Sequence, residues 1–449
     1  MTIPHSSAAD IFQTISRSLP GKRQRRRGSL GPAQVLYTVM HMSAGATTGY
    51  RGTLDYLTRQ VGEKLGWEYA PWSSSFSEAR RKLSAAQCRH AFSIARQSCA
   101  GLTGSPKVCY GEYRILAVDM TKLALPAYKD VVDGFGCPKD RLGKTAPAPQ
   151  ATLTVLWDVS TNTPVDWRLE RVYASERFAG HSLINSIGKQ DLLIADRGYP
   201  SRRLLKEISD LGASYLIRMP SGRAGGFVEV RQFMDDPSAW DREIKLHETN
   251  AKTDDPTIRV RLLKHRLPGG GFAVFATNLF GSRRHRRRAL CDLYCYRWDI
   301  ETAFREMKVW HGLENFKARY AEGVHQEVAG LMLFMLLTAE LEAQARHYHA
   351  VPYRESEAGT AREPEYRFNR KQIAETVGHL LAAAADGSDA VRAEFIYCMK
   401  QLWRYRQRRK PGRSFARTAK NPNSKYKKST YNANKKAKHT KASRQSLAE

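Results

Sequence analysis

Acidic residues are scarce in this chain. Asp and Glu number 44 against 73 Lys and Arg in 449 residues, giving a formal net charge of +29 and a pI near 9.9. A surface this basic repels itself unless a polyanion neutralises it, and nucleic acid is the general partner. An anionic membrane would normally show as a concentrated basic amphipathic helix, a pattern not found here. Cysteines are few and unpaired: seven (88, 99, 109, 137, 291, 295 and 398), with no CxxC. That argues against a disulfide framework and for reduced thiols in a cytoplasmic protein. A zinc reading of Cys291, Cys295 and His285 lacks a fourth ligand. Long apolar runs are missing as well. The most apolar stretch, Val328 to Leu337, is too short to cross a bilayer and meets Glu340 and Glu342 at once, so it reads as a buried helix and no membrane contact is expected. The first residues, MTIPHSSAADIFQ, carry no charged-then-apolar export signal. From Arg404 onward Glu449 is the only acid. Such a tail (406–449) builds no core and is expected to be disordered when free, adding salt-sensitive, sequence-blind DNA affinity.

Against this background three acids stand out. Arg114-Ile-Leu-Ala-Val-Asp119 is an apolar run ending in an aspartate, as for a buried strand that delivers a carboxylate at its end. Asp191-Leu-Leu-Ile-Ala-Asp196 repeats the arrangement. A lone aspartate there is usually a cap or turn residue; two at strand ends, with a third acid on a charged helix, are harder to dismiss. The third is Glu301, within Tyr294–Lys308 (YCYRWDIETAFREMK). At about 100° per residue, Tyr294, Arg297, Arg305 and Lys308 fall within roughly 40° of Glu301, while Leu293, Ile300, Phe304 and Met307 share a core-facing flank. Carboxylates converging from separate elements can hold two divalent ions, Mg²⁺ or Mn²⁺, about 3.5–4 Å apart for in-line displacement at a phosphodiester. Asp119, Asp196 and Glu301 are the candidate catalytic and metal-binding set. Tyr294, Arg297, Arg305 and Lys308 are candidate DNA contacts.

The order of elements gives the architecture. Residues 1–110 read as helices (Pro32–Met42, Thr53–Leu65, one capped within Ser73–Ser77, and Ala85–Leu102) after the basic run Lys22–Arg27, either a DNA-reading module or a helical cap on the next domain. Residues 111–345 read as strands at Arg114–Asp119, Ala151–Val159 and Val165–Val172, a short helix at His181–Ile187, a strand to Asp196, a helix at Ser201–Leu211 and a strand at Ser214–Met219. This is the order of the ribonuclease-H-like α/β fold. Residues 221–280 read as a β-rich insertion, including Val228–Val230 and Ile258–Leu262, with Trp240 as the anchor of its own small sheet or a base-stacking surface. Gly281–Arg288 (GSRRHRRR) brings Arg286 and Arg287 to a DNA backbone. His311 reads as part of a helix end beside Gly312. Val324 to Ala343 should close the core, and 346–405 supply further helices.

The spacing Y-x2-R-x3-E-x6-K, met by Tyr294, Arg297, Glu301 and Lys308, resembles the YREK signature of the DDE transposases of bacterial insertion sequences, the IS-four group. LLIADRGYPS is similar to the D-R-G-Y/F block of these proteins. Phe135-Gly136 and Pro149-Gln150 resemble their loop after the first strand, and SSFSEARRKLS a segment ahead of the core. The resemblance runs from about Ile115 to Leu337, with a weaker match at Tyr405–Arg417. It implies metal-dependent cleavage at the element's terminal inverted repeats and joining of the freed 3′-hydroxyls to target DNA, by a homodimer on double-stranded DNA at the bacterial nucleoid. It also implies a hairpin on the element ends, with Tyr294, Arg297 and Lys308 gripping the terminal phosphate. The alternatives are a ribonuclease-H-like nuclease that does not join strands, and a non-catalytic, domesticated DNA-binding protein.

Overall fold

The computed structural model describes residues 30–43, 49–65, 67–99, 110–139, 142–221, 227–246, 257–267, 270–355, 362–370 and 388–408, with a few single positions besides. The Lys22–Arg27 run, Gly225-Gly226, most of the expected helix 368–384 and the tail from 409 lie outside them. Among the described residues four helices come first: α1 (Pro32–Ser43), α2 (Tyr50–Leu65), α3 (Ser73–Arg81) and α4 (Ala85–Ser98). The serines expected to cap α3 form its first turn instead, behind Trp72, which gives no side-chain cap. For α4 the cap is Ser84, in a reciprocal capping box with Gln87.

A strand and helix follow, β1 (Arg114–Ala124) and α5 (Lys129–Phe135), then the hairpin β2 (Gln150–Asp158) and β3 (Thr163–Arg171). Next come α6 (Glu176–Ser182), β4 (Asp191–Ala195), α7 (Arg202–Asp210) and β5 (Ser214–Met219). The next strands are β6 (Asp241–Leu246), β7 (Ile258–Arg266) and β8 (Phe272–Thr277), preceded by α8 (Val228–Asp235). These eight strands form one sheet in the order β3-β2-β1-β4-β5-β8-β7-β6. β1, β4 and β5 run parallel and β2 and β3 antiparallel to their neighbours, which is the ribonuclease-H-like arrangement.

Two expectations are corrected here. Asp119 does not end its strand: β1 continues to Ala124 because its outer half pairs residue by residue with β2, from Asp119↔Val155 to Ala124↔Gln150. Val228–Val230 is not a strand but the first turn of α8. The alternation there is too short to decide, and Val230 and Phe233 bury together at helical spacing. The strands of 221–280 also build no separate sheet, since β8 pairs directly with β5.

The sheet is buried on both faces. One is covered by α6, α7 and α8, packed on Leu193, Ala195, Tyr215 and Ile217. The other is covered by α11 (Ala321–Tyr348) and the N-terminal helices laid across it. α11 as a whole is long and apolar enough to cross a membrane, and 94% of its apolar window is buried inside the fold. Arg80 of α3 is buried against it, donating to Gln326 Oε1 (2.7 Å), the Gly323 carbonyl (2.7 Å), Glu327 Oε1 (2.9 Å) and the Tyr50 hydroxyl (2.7 Å). Arg89 and Arg96 of α4 cap the exposed edge of β3, donating to the Trp167 (2.8 Å) and Pro164 (2.9 Å) carbonyls. Three of the basic side chains in this helical segment therefore hold the fold together.

Candidate active site

The register of the central strands brings the two aspartates side by side. Val118 of β1 pairs with Ala195 of β4, so Asp119 and Asp196 are the next residues along two adjacent parallel chain segments. Asp119 accepts a hydrogen bond from the Met120 amide (2.8 Å). Glu301 arrives from the helical segment that follows the basic loop. α9 (Arg287–Tyr294) passes through a single tight turn, Cys295–Arg297, into α10 (Trp298–Val309). The sequence reads this stretch as one continuous helix. The tightened turn keeps its direction, and Leu290, Leu293, Ile300, Phe304 and Met307 hold it on the core.

Two residues of this stretch tie the acids together. Arg297 donates through Nη2 to Glu301 (2.6 Å) and through Nη1 to Asp119 (3.3 Å). The Tyr294 hydroxyl lies 3.4 Å from both the Ala195 carbonyl and an Asp196 carboxylate oxygen. Arg297 is nearly buried (8% side-chain exposure) while Asp119 and Glu301 open to solvent (20% and 37%), so the cluster lies in the wall of a surface site. Burial pushes the Asp119 carboxyl up to about 6. The Met120 amide and Arg297 pull it down, and the neighbouring charges of Glu301 and Asp196 raise it further. Burial, and then the Asp196 carboxylate, hold the Tyr294 phenol above its usual range.

The other candidates are placed differently. Lys308 donates to the Lys122 carbonyl (2.6 Å) and lies 3.4 Å from Glu314, so it joins α10 to the outer half of β1 and does not touch the acids. Arg305 is exposed on α10. Arg286 is exposed just ahead of α9, whereas Arg287 donates to the Lys264 carbonyl (2.8 Å) and lies over the Trp240 ring. Trp240 also packs edge-on to Phe272, anchoring the β6–β8 end of the sheet. His311 is buried edge-on to Phe334 beside Gly312, whose positive φ of 61° ends the helical path. Two neighbours of the site were not singled out by sequence reasoning. Arg218 of β5 stands 4.0 Å from Asp196, a consequence of strand order with no local signal. Trp298 is over half exposed with the Arg297 guanidinium over its ring, and an aromatic in the first turn of a charged helix was the available clue.

The donor set suits a hard dication. It is all carboxylate oxygen, comes from separate elements, and its like charges raise the Asp119 pKa together. As the side chains stand, no three His, Cys, Asp or Glu groups among the described residues are gathered tightly enough to grip one ion. Arg297 takes up Asp119 and Glu301 instead.

The E. coli (strain K12) transposase InsG for insertion sequence element IS4 is 24% identical over 283 residues, covering 61% of this chain and 62% of that protein. A cryo-EM structure of a piggyBac transposase synaptic complex with hairpin DNA aligns with a TM-score of 0.45 and 9% identity, covering 90% of this chain and 82% of that one. Residues 110–337, just over half of the chain and the span that holds Asp119, Asp196 and Glu301, match the family described as the transposase DDE domain. The chain belongs to that family.

Proposed function

We propose that the protein is a DNA transposase that cuts at the ends of its insertion sequence and joins them to target DNA, with Asp119, Asp196 and Glu301 as its catalytic acids. The observation that carries the reading is the meeting of the three acids around Arg297 and Tyr294, from positions as far apart in sequence as 119 and 301. Mg²⁺ or Mn²⁺ held by these oxygens would supply an activated nucleophile and charge neutralisation at the phosphorus. The residues' own work follows from their contacts. Tyr294 fixes the Asp196 carboxylate at the end of β4. Arg297 keeps Asp119 and Glu301 from repelling each other while the site is free of DNA, and its guanidinium is placed to turn to a phosphate when a strand arrives. Arg218 and Trp298 flank the acids and offer a second cation and a stacking surface. Arg305 and Arg286 extend the basic surface on either side, and the net charge of +29 draws in duplex DNA.

Joining two ends requires two active sites, so the protein acts as a homodimer on its terminal repeats. The test is incubation of the purified chain with Mn²⁺ and DNA carrying the sequences that flank its own reading frame. Nicks at the element boundary and joined products support the reading. Nicks without joining indicate a nuclease, and binding without nicks indicates a non-catalytic DNA-binding protein.

A further inference from the structure

A cavity of about 490 Å³ opens at the end of the sheet away from the acids, where β1 and β4 begin. Its walls include Tyr110 and Tyr113, whose rings are stacked with centroids 6.3 Å apart, together with Lys189, Arg284, His285 and Arg286. Lys189, Arg284 and Arg286 against Glu112, the one acid among the described lining residues, leave an excess of two positive charges. The wall is anchored from behind. Buried Arg261 holds Asp241 through both carboxylate oxygens (2.7 and 2.6 Å) and donates to the Leu279 and His285 carbonyls (2.9 Å each), fixing the loop that carries Arg284 and Arg286. His285 is itself buried, with its ring 3.2 Å from the Tyr110 hydroxyl. The cavity thus combines a fixed aromatic wall with a net excess of positive charge among the described lining residues, within the size range of small-ligand sites, about 300–1,000 Å³.

From these features we infer that the cavity holds one nucleotide of the DNA strand engaged by the acids, its phosphate among Lys189, Arg284 and Arg286 and its base against the Tyr110–Tyr113 pair. This rests on the transposase reading and adds a second strand contact to it. Arg286 borders the cavity, and α9 runs from its next residue to Tyr294 at Asp196. Seven helical residues span about 11 Å. Along β1, six residues from Tyr113 to Asp119 span about 20 Å. At about 3.4 Å per nucleotide along one strand, the captured nucleotide lies about three to six positions from the scissile phosphate.

The experiment uses the full chain and an element-end duplex carrying a single uncharged methylphosphonate at each position in turn. For the wild type, one such linkage three to six positions from the cut should weaken binding about five- to tenfold, the scale of one charge-assisted contact. In Lys189→Gln/Arg284→Gln the same linkage should have no further effect. 2-Aminopurine placed there should be quenched by the wild type and remain bright with Tyr113→Leu. Cleavage by the wild type with a flat methylphosphonate profile would overturn the inference alone. An identical profile in the double variant, or quenching that survives Tyr113→Leu, would also overturn it. Failure of the wild type to cut any end would overturn both this inference and the reading beneath it.

Discussion

Two arginines in this molecule are each buried beside carboxylates, and they do opposite things. Arg80, on the seam between α3 and α11, uses Nε, Nη1 and Nη2 on Gln326, Tyr50, Gly323 and the single acid Glu327. Charge and hydrogen bonds close there, and the group is a strut. Arg297 faces two acids directly and a third through Tyr294, while its Nε is buried with no hydrogen-bond partner among the described residues. Even with Arg218 nearby the acids outnumber the cations, and Asp119 is pushed up to about 6. A closed constellation stabilises the fold; an open one with excess negative charge is poised to take up a cation or exchange its arginine for one.

Breaking the open constellation should have the largest effect. Asp119→Ala, Asp196→Ala or Glu301→Ala should each lower single-turnover cleavage of end DNA by at least about 10³-fold, several kcal/mol of lost charge stabilisation, with DNA affinity within a few-fold of wild type. Breaking the closed one should act on stability instead. Arg80→Met leaves Glu327 buried without its cation and should lower unfolding free energy by about 3 kcal/mol in urea titrations, while metal affinity holds.

A third substitution separates the two by pH. Because folding raises the Asp119 pKa from 3.8 to about 6, the folded state favours the neutral carboxyl. The cost of its charge is absent below about pH 4, grows between about pH 4 and 6, and is full above that. Asp119→Asn should therefore stabilise the protein at pH 7 by on the order of 1–3 kcal/mol while abolishing cleavage, and the gain should vanish near pH 4 in the same titrations. The smallest effect tests the guanidinium as stand-in cation. Arg297→Gln should raise the Mn²⁺ affinity of DNA-free protein about tenfold by calorimetry, because the ion no longer competes with an internal charge. Weaker Mn²⁺ binding in that variant would remove this role.

Much of this was legible in the sequence, for reasons that differ by element. β4 and β5 are short runs with apolar centres (Leu192–Ala195 and Tyr215–Ile217) bounded by turn residues, so their limits read within a residue. The line of Tyr294, Arg297 and Glu301 follows from helical geometry alone, and it survives the tight turn at Cys295–Arg297. β1 did not read to its end because its outer half, Met120 to Ala124, mixes polar and apolar residues and is a strand only by pairing with β2. α8 was misread because three alternating residues fit either period. Arg218 reaches Asp196, and Arg80 reaches α11, through tertiary placement that no spacing encodes. Lys308 shows the reverse limit: it lies on the helical line with Glu301, but the Lys122 carbonyl in the outer half of β1 captures its ammonium.

The central claim is that Asp119, Asp196 and Glu301 together hold the divalent metal. Electron paramagnetic resonance of Mn²⁺ bound to the protein–end-DNA complex tests it most directly, comparing the wild type with Asp119→Asn, Asp196→Asn and Glu301→Gln. Each exchange should release or markedly weaken the bound Mn²⁺ while the complex stays intact. Undiminished Mn²⁺ binding in any one of the three would contradict the claim.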